Sequence, residues 1–263
     1  MAVNKQEVLD RTRPPFERLV KLFAVLRGPG GCAWDRKQTH QSLLPYLIEE
    51  AYEVVEAIES GDGDELKEEL GDLLVQVIFH AQLAAEADRF TIDEAITAVV
   101  DKLIARHPHV FGEQKDLSPG QVRDQWEQIK VDSGEKKYVL SGVPTSMPAL
   151  NMAFRVGEKA GGVGFDWHHA DDVLAKLEEE IGEIRRSLRE GDREGTAEEI
   201  GDLLFATASL ARKLDIDPER TLKKALAKFI ERFQRLEDRV NESGRRFKDY
   251  SLDELEEIWQ SIK

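Results

Sequence analysis

The sequence predicts an all-α protein built from two tandem helical domains. Apolar residues recur with the 3.6-residue period of amphipathic helices, and no segment shows the alternation of a half-buried strand. A set of acidic residues also occurs twice: Glu49-Glu50-x-x-Glu53 with Glu69-x-x-Asp72, and Glu179-Glu180-x-x-Glu183 with Glu199-x-x-Asp202. Each member of the second set lies 130 positions after its counterpart, so the sequence indicates a duplicated domain and not a short solenoid repeat.

The helices are predicted from the periodic apolar residues and from the glycine-rich segments at which that periodicity ends. One helix is predicted over 43–58, and the glycine-rich segment 60–64 ends it. The next helix is predicted over 65–87, and the short connection makes the two antiparallel neighbours. The second half repeats this plan, with helices over 170–189 and 196–214 around Glu190-Gly191-Asp192. Further helices are predicted over 92–106, 118–130, 218–241 and 251–262.

The domain boundaries follow from a change in composition near the middle of the chain. Residues 131–148 are rich in Gly, Ser, Pro and Lys, which is typical of a linker. We therefore expect an N-terminal domain over 1–130, a linker over 131–148 and a C-terminal domain over 149–263.

Composition and charge exclude several classes of protein. The chain has 263 residues, 41% of them hydrophobic and 34% charged, which is typical of a globular protein with a core. No apolar run approaches the about 18 residues of a membrane span, and the N-terminus lacks a signal-peptide pattern. The single cysteine, Cys32, allows no internal disulfide and favours the cytoplasm. A net charge of −15 argues against nucleic acid as a partner.

The repeated carboxylates predict a site for a hard divalent cation. Residues three apart share a helix face, so Glu50 and Glu53 can face Glu69 and Asp72 on the neighbouring helix. Carboxylates held together repel each other, and Mg²⁺ or Mn²⁺ relieves that repulsion while keeping positions for phosphate oxygens. A solvated acidic face is the alternative for any single pair, but the repetition favours metal. The candidate metal ligands are Glu50, Glu53, Glu69 and Asp72, and Glu180, Glu183, Glu199 and Asp202.

Cationic and aromatic residues recur beside the acidic sets. The repeated pairs are Lys102-x-x-x-Arg106 with Lys228-x-x-x-Arg232, and Trp126-x-x-x-Lys130 with Trp259-x-x-x-Lys263. A lysine and an arginine four apart can reach one ligand from one helix face, and together they suit phosphate. A surface basic pair near a helix end and a tryptophan packed at a domain edge stay open as alternatives. No phosphate loop, serine nucleophile elbow or zinc-protease motif occurs.

Taken together, these features resemble the MazG-type nucleoside triphosphate pyrophosphohydrolases of the all-α NTP pyrophosphatase superfamily, to which the dimeric dUTPases are related. The tandem order resembles that of the two-domain members. The resemblance implies two MazG-like domains, each built on an antiparallel helix pair in a four-helix-bundle-like homodimer. It also covers Gly31-Cys32-Ala33-Trp34-Asp35, Arg106-His107-Pro108-His109-Val110-Phe111, Trp126-Glu127-Gln128-Ile129-Lys130 and Val163-Gly164-Phe165-Asp166-Trp167.

The resemblance implies Mg²⁺-dependent hydrolysis of NTPs and dNTPs to monophosphate and pyrophosphate, in house-cleaning or stress-related control of nucleotide pools. It implies that the C-terminal half is catalytic. Lys176 has no counterpart in the first half, where Tyr46 stands at the matching position. The implied metal ligands there are Glu180, Glu183, Glu199 and Asp202. The implied nucleotide-binding residues are Lys176, Glu179, Glu198, Asp202, Lys228, Arg232, Trp259 and Lys263.

The resemblance also implies the catalytic residues, which are Glu179, Glu180, Lys228 and Arg232. Lys228 and Arg232 would stabilise charge on the leaving pyrophosphate, and Glu179 or Glu180 would orient the attacking water. The alternative is a non-catalytic module that binds metal or nucleotide and docks a regulatory protein partner. Turnover in the presence of Mg²⁺ separates the two hypotheses.

Overall fold

The protein is helical throughout the part of the chain that the structure describes. The computed structural model describes residues 5–112, 116–132 and 138–262. All regular elements in these ranges are helices, which confirms the all-α prediction. The backbone divides into two compact units, Met1–Lys115 and Asp116–Lys263. The second unit therefore includes residues 118–130, which the sequence assigns to the first domain, and the domain boundaries stay a prediction.

The first unit is built around an antiparallel helix pair. Its helices are α1 (Lys5–Leu9), α2 (Pro15–Arg27), α3 (Ala33–Lys37), α4 (Leu44–Ser60), α5 (Gly63–Glu86), α6 (Ile92–Arg106) and α7 (Pro108–Phe111). Helices α4 and α5 form the pair, and α2 packs against α5. Phe23, Leu43, Ile78 and Phe79 form a buried core cluster, in which the Phe23 and Phe79 rings lie 4.9 Å apart.

The turn between α4 and α5 follows from two residues. Gly61 ends α4 in the left-handed conformation, with φ of 76°, which glycine adopts without a steric penalty. Asp62 then begins α5, because its Oδ1 accepts hydrogen bonds from the backbone N–H groups of Asp64 and Glu65, at 2.8 and 3.2 Å. The two helices are thereby joined in the register that brings their acidic residues together.

The second unit repeats the helix pair. Its helices are α8 (Pro119–Asp132), α9 (Ala149–Gly161), α10 (Ala170–Glu190), α11 (Arg193–Lys213), α12 (Pro218–Glu242) and α13 (Leu252–Ser261), with a 3-10 turn at Phe247–Asp249. Gly191 ends α10 with φ of 71°, and Asp192 Oδ1 accepts from Gly195 N at 3.0 Å. Helix α9 packs against α11, α12 contacts both, and α13 contacts α12.

Five described helices and part of the predicted linker differ from the expectation. Helices α2 and α9 and the short helices α1, α3 and α7 are not among the elements that the sequence predicts. Within the predicted linker, residues 131 and 132 belong to α8. Lys159 of α9 is 4% exposed and donates to the carbonyl oxygens of Ser141 and Val139, at 3.0 and 3.4 Å. The described segment 138–141 is therefore attached to α9.

No helix within the described ranges is both long and apolar enough to cross a bilayer.

Candidate active site

The first helix pair brings three of its acidic residues together. Glu50 of α4 and Glu69 and Asp72 of α5 each offer a carboxylate oxygen, and these oxygens all lie within 4.8 Å of one another. Gln76, one turn after Asp72, points its Nε2 at Glu50 Oε1, 3.4 Å away. The antiparallel pair thus gathers three negative groups that a hard cation would hold together.

The second helix pair gathers the equivalent residues. The carboxylate oxygens of Glu180, Glu199 and Asp202 also lie within 4.8 Å of one another. Glu180 is only 2% exposed, and its buried Oε2 has no hydrogen-bond partner among the described residues. A buried carboxylate oxygen without a donor is costly, and a bound cation would satisfy it. The donor set therefore fits Mg²⁺ or Mn²⁺, which prefer carboxylate oxygens.

A lysine neutralises part of the second cluster. Lys176 lies one turn before Glu180 on α10, and its Nζ is 2.6 Å from Glu180 Oε1 and 2.7 Å from Glu179 Oε1. Hydrogen bonds to Glu179 and Glu180 raise the pKa of Lys176 well above its usual range. The ammonium group is therefore firmly charged at neutral pH.

Burial and neighbouring carboxylates raise the pKa values of three of the clustered carboxyls. Burial and the negative charge of Asp72 raise the pKa of Glu50. Burial and the charge of Glu53 raise the pKa of Glu69. In the second cluster, burial and a hydrogen bond with Glu180 raise the pKa of Glu199. Glu50, Glu69 and Glu199 therefore hold a proton more tightly than isolated carboxyls do, and a bound cation would stabilise their ionised forms.

The fourth predicted ligand of each set lies beside its cluster. Glu53 and Glu183 are outside the two three-residue groups found among the described residues. Their charges nevertheless contribute to the raised pKa values of Glu69 and Glu199, so they lie near those carboxyls. Glu183 Oε1 accepts a hydrogen bond from Arg186 at 2.9 Å. The side chains of Glu53 and Glu183 would have to rotate for four carboxylates to coordinate one cation in each cluster.

Three of the predicted phosphate and nucleotide residues, Lys228, Arg232 and Trp259, lie on α12 and α13. Arg232 stacks over the indole of Trp259, with its Cζ 4.1 Å from the ring centroid, and its Nη2 donates to the Trp259 carbonyl oxygen. Phe229 also contacts Trp259, with ring centroids 5.3 Å apart. Lys228 is exposed on α12. Arg232 is thus held by an aromatic platform, while Lys228 faces solvent.

The remaining predicted residues have diverse positions. Glu179 and Glu198 are exposed on α10 and α11. Lys102 is exposed on α6, where Arg106 is the last residue. Lys263 lies outside the described residues, as does the side chain of Lys130.

The sequence analysis misses Gln76 at the first cluster and the partners of Asp166 in the second unit. Gln76 lies on a helix whose other buried residues are apolar, and only its spacing of four from Asp72 could have indicated it. Asp166 accepts hydrogen bonds from Arg212 at 3.0 and 2.6 Å, and Lys213 Nζ lies 2.7 Å from it. Forty-six positions separate Asp166 from Arg212, so no local pattern predicts this ion pair.

The fold and the clusters define the class of protein: an all-α tandem protein with a carboxylate site on each helix pair. The family model for the MazG nucleotide pyrophosphohydrolase domain matches residues 38–111 and 169–236. These two matches cover both helix pairs. The chain therefore belongs to the MazG nucleotide pyrophosphohydrolase family, as the sequence predicts.

Relatives along nearly the whole chain agree with this assignment. The nucleoside triphosphate pyrophosphohydrolase/pyrophosphatase MazG of Thermotoga maritima is 47% identical over 250 residues, covering 94% of this chain and 95% of the relative. The nucleoside triphosphate pyrophosphohydrolase of Escherichia coli K12 is 42% identical over 254 residues, covering 94% and 97%. A protein of the same name from Mycobacterium tuberculosis is 34% identical over 223 residues, covering 83% of this chain and 58% of the relative.

Proposed function

We propose that the chain hydrolyses nucleoside triphosphates, both NTPs and dNTPs, to the monophosphate and pyrophosphate at the second carboxylate cluster. The observation that carries the proposal is the convergence of Glu180, Glu199 and Asp202, with a buried oxygen of Glu180 that lacks a donor. The names of the full-length relatives support the same reaction. The reaction belongs to house-cleaning or stress-related control of nucleotide pools.

The proposed metal is Mg²⁺, with Mn²⁺ as a substitute, held by Glu180, Glu183, Glu199 and Asp202. When bound, such an ion supplies Lewis-acid polarisation of the phosphate oxygens and of water. The equivalent ligands in the first half are Glu50, Glu53, Glu69 and Asp72. All eight are acceptor-only when ionised, which suits a hard cation and disfavours softer metals.

The chain's own side chains position the substrate and the water. Lys228 and Arg232 lie one helical turn apart on α12, where they bind the β- and γ-phosphates and stabilise charge on the leaving pyrophosphate. Trp259 presents its ring beside Arg232 and packs on the nucleotide, and Lys263 stands four positions after it in the sequence. Lys176, Glu179 and Glu198 complete the nucleotide site.

The proposed bond changes occur at the α-phosphorus. Glu179 or Glu180 orients a water and accepts its proton as the water oxygen attacks the α-phosphorus. The bond from the α-phosphorus to the bridging oxygen breaks, and that oxygen leaves with the pyrophosphate. Lys176 favours the second half as the active one, because Tyr46 stands at the corresponding position of the first half.

A homodimer is part of the proposal. Helix α12 leaves Leu222, Leu226, Phe229 and Ile230 between 46% and 55% exposed. Within the first unit, the α4–α5 pair leaves Ile48, Val55, Ile58, Leu70 and Val77 similarly exposed. Apolar faces of this extent are typical of surfaces that a second protein covers. Two copies of the chain would cover them in a bundle, with substrate pockets lined by both chains.

The cellular location belongs to the same proposal. Cys32 is a free, partly buried thiol, which suits a reducing compartment. Nucleotide pools are cytoplasmic, so we place the enzyme in the cytoplasm.

The identity of the products tests the proposed reaction. The full chain is incubated with Mg²⁺ and with nucleoside triphosphates labelled at the α- or the γ-phosphate, across the common bases and both sugars. The expected products are labelled monophosphate from the α-label and labelled pyrophosphate from the γ-label. Release of orthophosphate as the first product would contradict the reaction, and tight nucleotide binding without turnover would favour the regulatory module.

A further inference from the structure

The two carboxylate clusters differ at two positions, each of which contacts a cluster in one half only, through the residue present there. In the second cluster, Lys176 Nζ lies 2.6 Å from Glu180 Oε1, and the matching residue of the first half is Tyr46. In the first cluster, Gln76 is 7% exposed and reaches Glu50, and the matching residue of the second half is Ala206. The two sites therefore have similar carboxylates and different neutralising groups.

Lys176 opposes the entry of a free cation into the second cluster. Its ammonium group already occupies an oxygen of Glu180 and an oxygen of Glu179. Glu180 Oε2 has no partner among the described residues, but a divalent cation there would share the carboxylate with a like charge, which costs free energy unless the ammonium group leaves. The phosphates of a triphosphate would remove this opposition, since they supply negative charge for the cation and for Lys176 together.

Gln76, in contrast to Lys176, favours the binding of a cation in the first cluster. Its Oε1 is buried and has no hydrogen-bond partner among the described residues. A buried amide oxygen without a partner is costly, so its retention calls for a ligand. Nε2 now faces Glu50 Oε1 at 3.4 Å, near the long limit of a hydrogen bond, so a half-turn that brings Oε1 to the cluster in its place gives up only a weak contact. Amide oxygens are regular ligands of hard cations, and this one would join three carboxylates.

We propose that the first cluster is a standing divalent-cation site, filled without nucleotide, in which the Gln76 amide oxygen joins Glu50, Glu69 and Asp72. The second cluster binds its cation only together with a triphosphate, because without nucleotide the Lys176 ammonium group stays paired with Glu180. This inference rests on the metal-binding role proposed above for both clusters. It does not depend on which reaction the second cluster performs.

Cation binding by the full chain in the absence of nucleotide tests the proposal. After treatment with a chelator, the protein is titrated with Mn²⁺ followed by electron paramagnetic resonance, and with Mg²⁺ by calorimetry. We expect one cation per chain to bind at least about tenfold more tightly than any other. Asp72→Asn is expected to abolish this binding, and its counterpart Asp202→Asn to leave it unchanged.

Substitutions at the two distinguishing positions sharpen the test. Gln76→Leu is expected to weaken the tight site about tenfold, and Gln76→Glu to preserve it. The matched control is Gln82→Leu, on the same helix, where Gln82 Nε2 instead donates to Glu86 at 2.9 Å. Circular dichroism checks that each variant keeps its helices.

The exchange of the lysine tests the other half of the proposal. Tyr46→Lys places an ammonium group one turn before Glu50 and is expected to weaken the tight site about tenfold, while Tyr46→Met is expected to leave it intact. Lys176→Met is expected to create a second nucleotide-independent cation site. Tight binding that is lost in Asp202→Asn, or equal binding at both clusters, or no binding without nucleotide would overturn the proposal. Turnover measured separately shows whether the proposed reaction stands.

Discussion

Replacement of Asp166 by alanine is expected to destabilise the second unit strongly. Asp166 accepts two hydrogen bonds from Arg212, and Lys213 Nζ lies 2.7 Å from it. The side chains of Asp166, Arg212 and Lys213 are 20%, 12% and 18% exposed, so little water is available to replace the lost carboxylate. The substitution leaves two cations close together without their shared anion.

The size of this effect can be worked out from the geometry. Removal of one partner from a buried ion pair costs about 3 kcal/mol, because the remaining charge stays desolvated. With a urea m-value of about 2 kcal/mol/M for a unit of this size, the midpoint of unfolding should fall by about 1.5 M. Asp166→Asn keeps one acceptor oxygen and should lose about half as much.

Urea titration followed by circular dichroism measures the shift. The matched control is Glu190→Gln, at an exposed carboxylate of the same unit, which is expected to change the free energy of unfolding by less than about 0.5 kcal/mol. An Asp166→Ala midpoint no lower than that of the control would refute the assignment of this ion pair as a structural anchor.

The same variant makes a prediction about pH. Burial alone would raise the pKa of Asp166, but hydrogen bonds from Arg212 and Lys213 outweigh it and hold that pKa below its usual range. The ionised Asp166 therefore stabilises the fold fully above its unfolded pKa of about 4 and loses that contribution as the pH falls through the lowered value. The difference in stability between wild type and Asp166→Ala should be constant from neutral pH to about pH 5 and shrink below pH 4.

Three further substitutions test the local structure by urea unfolding. Gly191→Ala should cost about 1 kcal/mol, because the residue has φ of 71° and an added Cβ meets nothing within 4 Å, so only backbone strain opposes it. Burial and the neighbouring His40 lower the pKa of His80, so stability should fall as the pH drops through about 6.5, and His80→Phe should remove that dependence. Arg27→Met should lower the free energy of unfolding by about 2 kcal/mol, because it breaks a 2.7 Å ion pair with Glu86. The loss is moderate because the Glu86 carboxylate is partly exposed and water can solvate it.

The helix pairs could be predicted because their sequence signals are local. Apolar periodicity located α4, α5, α10 and α11 to within a few residues, and Gly61 and Gly191 marked their turns. Helix α9 was not predicted because its buried face includes Gly157 and Lys159 in place of large apolar residues. A Cβ at position 157 would lie 2.8 Å from Arg212 Nε, so this face is small in order to admit an arginine. That requirement depends on the folded neighbour and cannot be read from periodicity.

The convergence of the carboxylates could also be predicted, because its sequence signals are local. The differences between the two clusters could not be predicted. Residues three apart on two short-connected helices converge in both units, as the repetition of Glu50 and Glu180 indicates. The extreme burial of Glu180 and the inward turn of Gln76 depend on packing against the rest of each unit. Arg232 and Trp259 lie on different helices, so their sequence spacing predicts each as a candidate residue but does not predict that they stack on each other.

The rate of pyrophosphate release by Glu180→Ala and Glu50→Ala, each compared with wild type, tests the central claim most directly. Both substitutions remove the corresponding carboxylate of a three-residue cluster, so the two variants control for each other. Placement of the reaction at the second cluster predicts that Glu180→Ala loses most of the activity with saturating Mg²⁺ and that Glu50→Ala loses far less. Loss of activity in Glu50→Ala with retention in Glu180→Ala would contradict it.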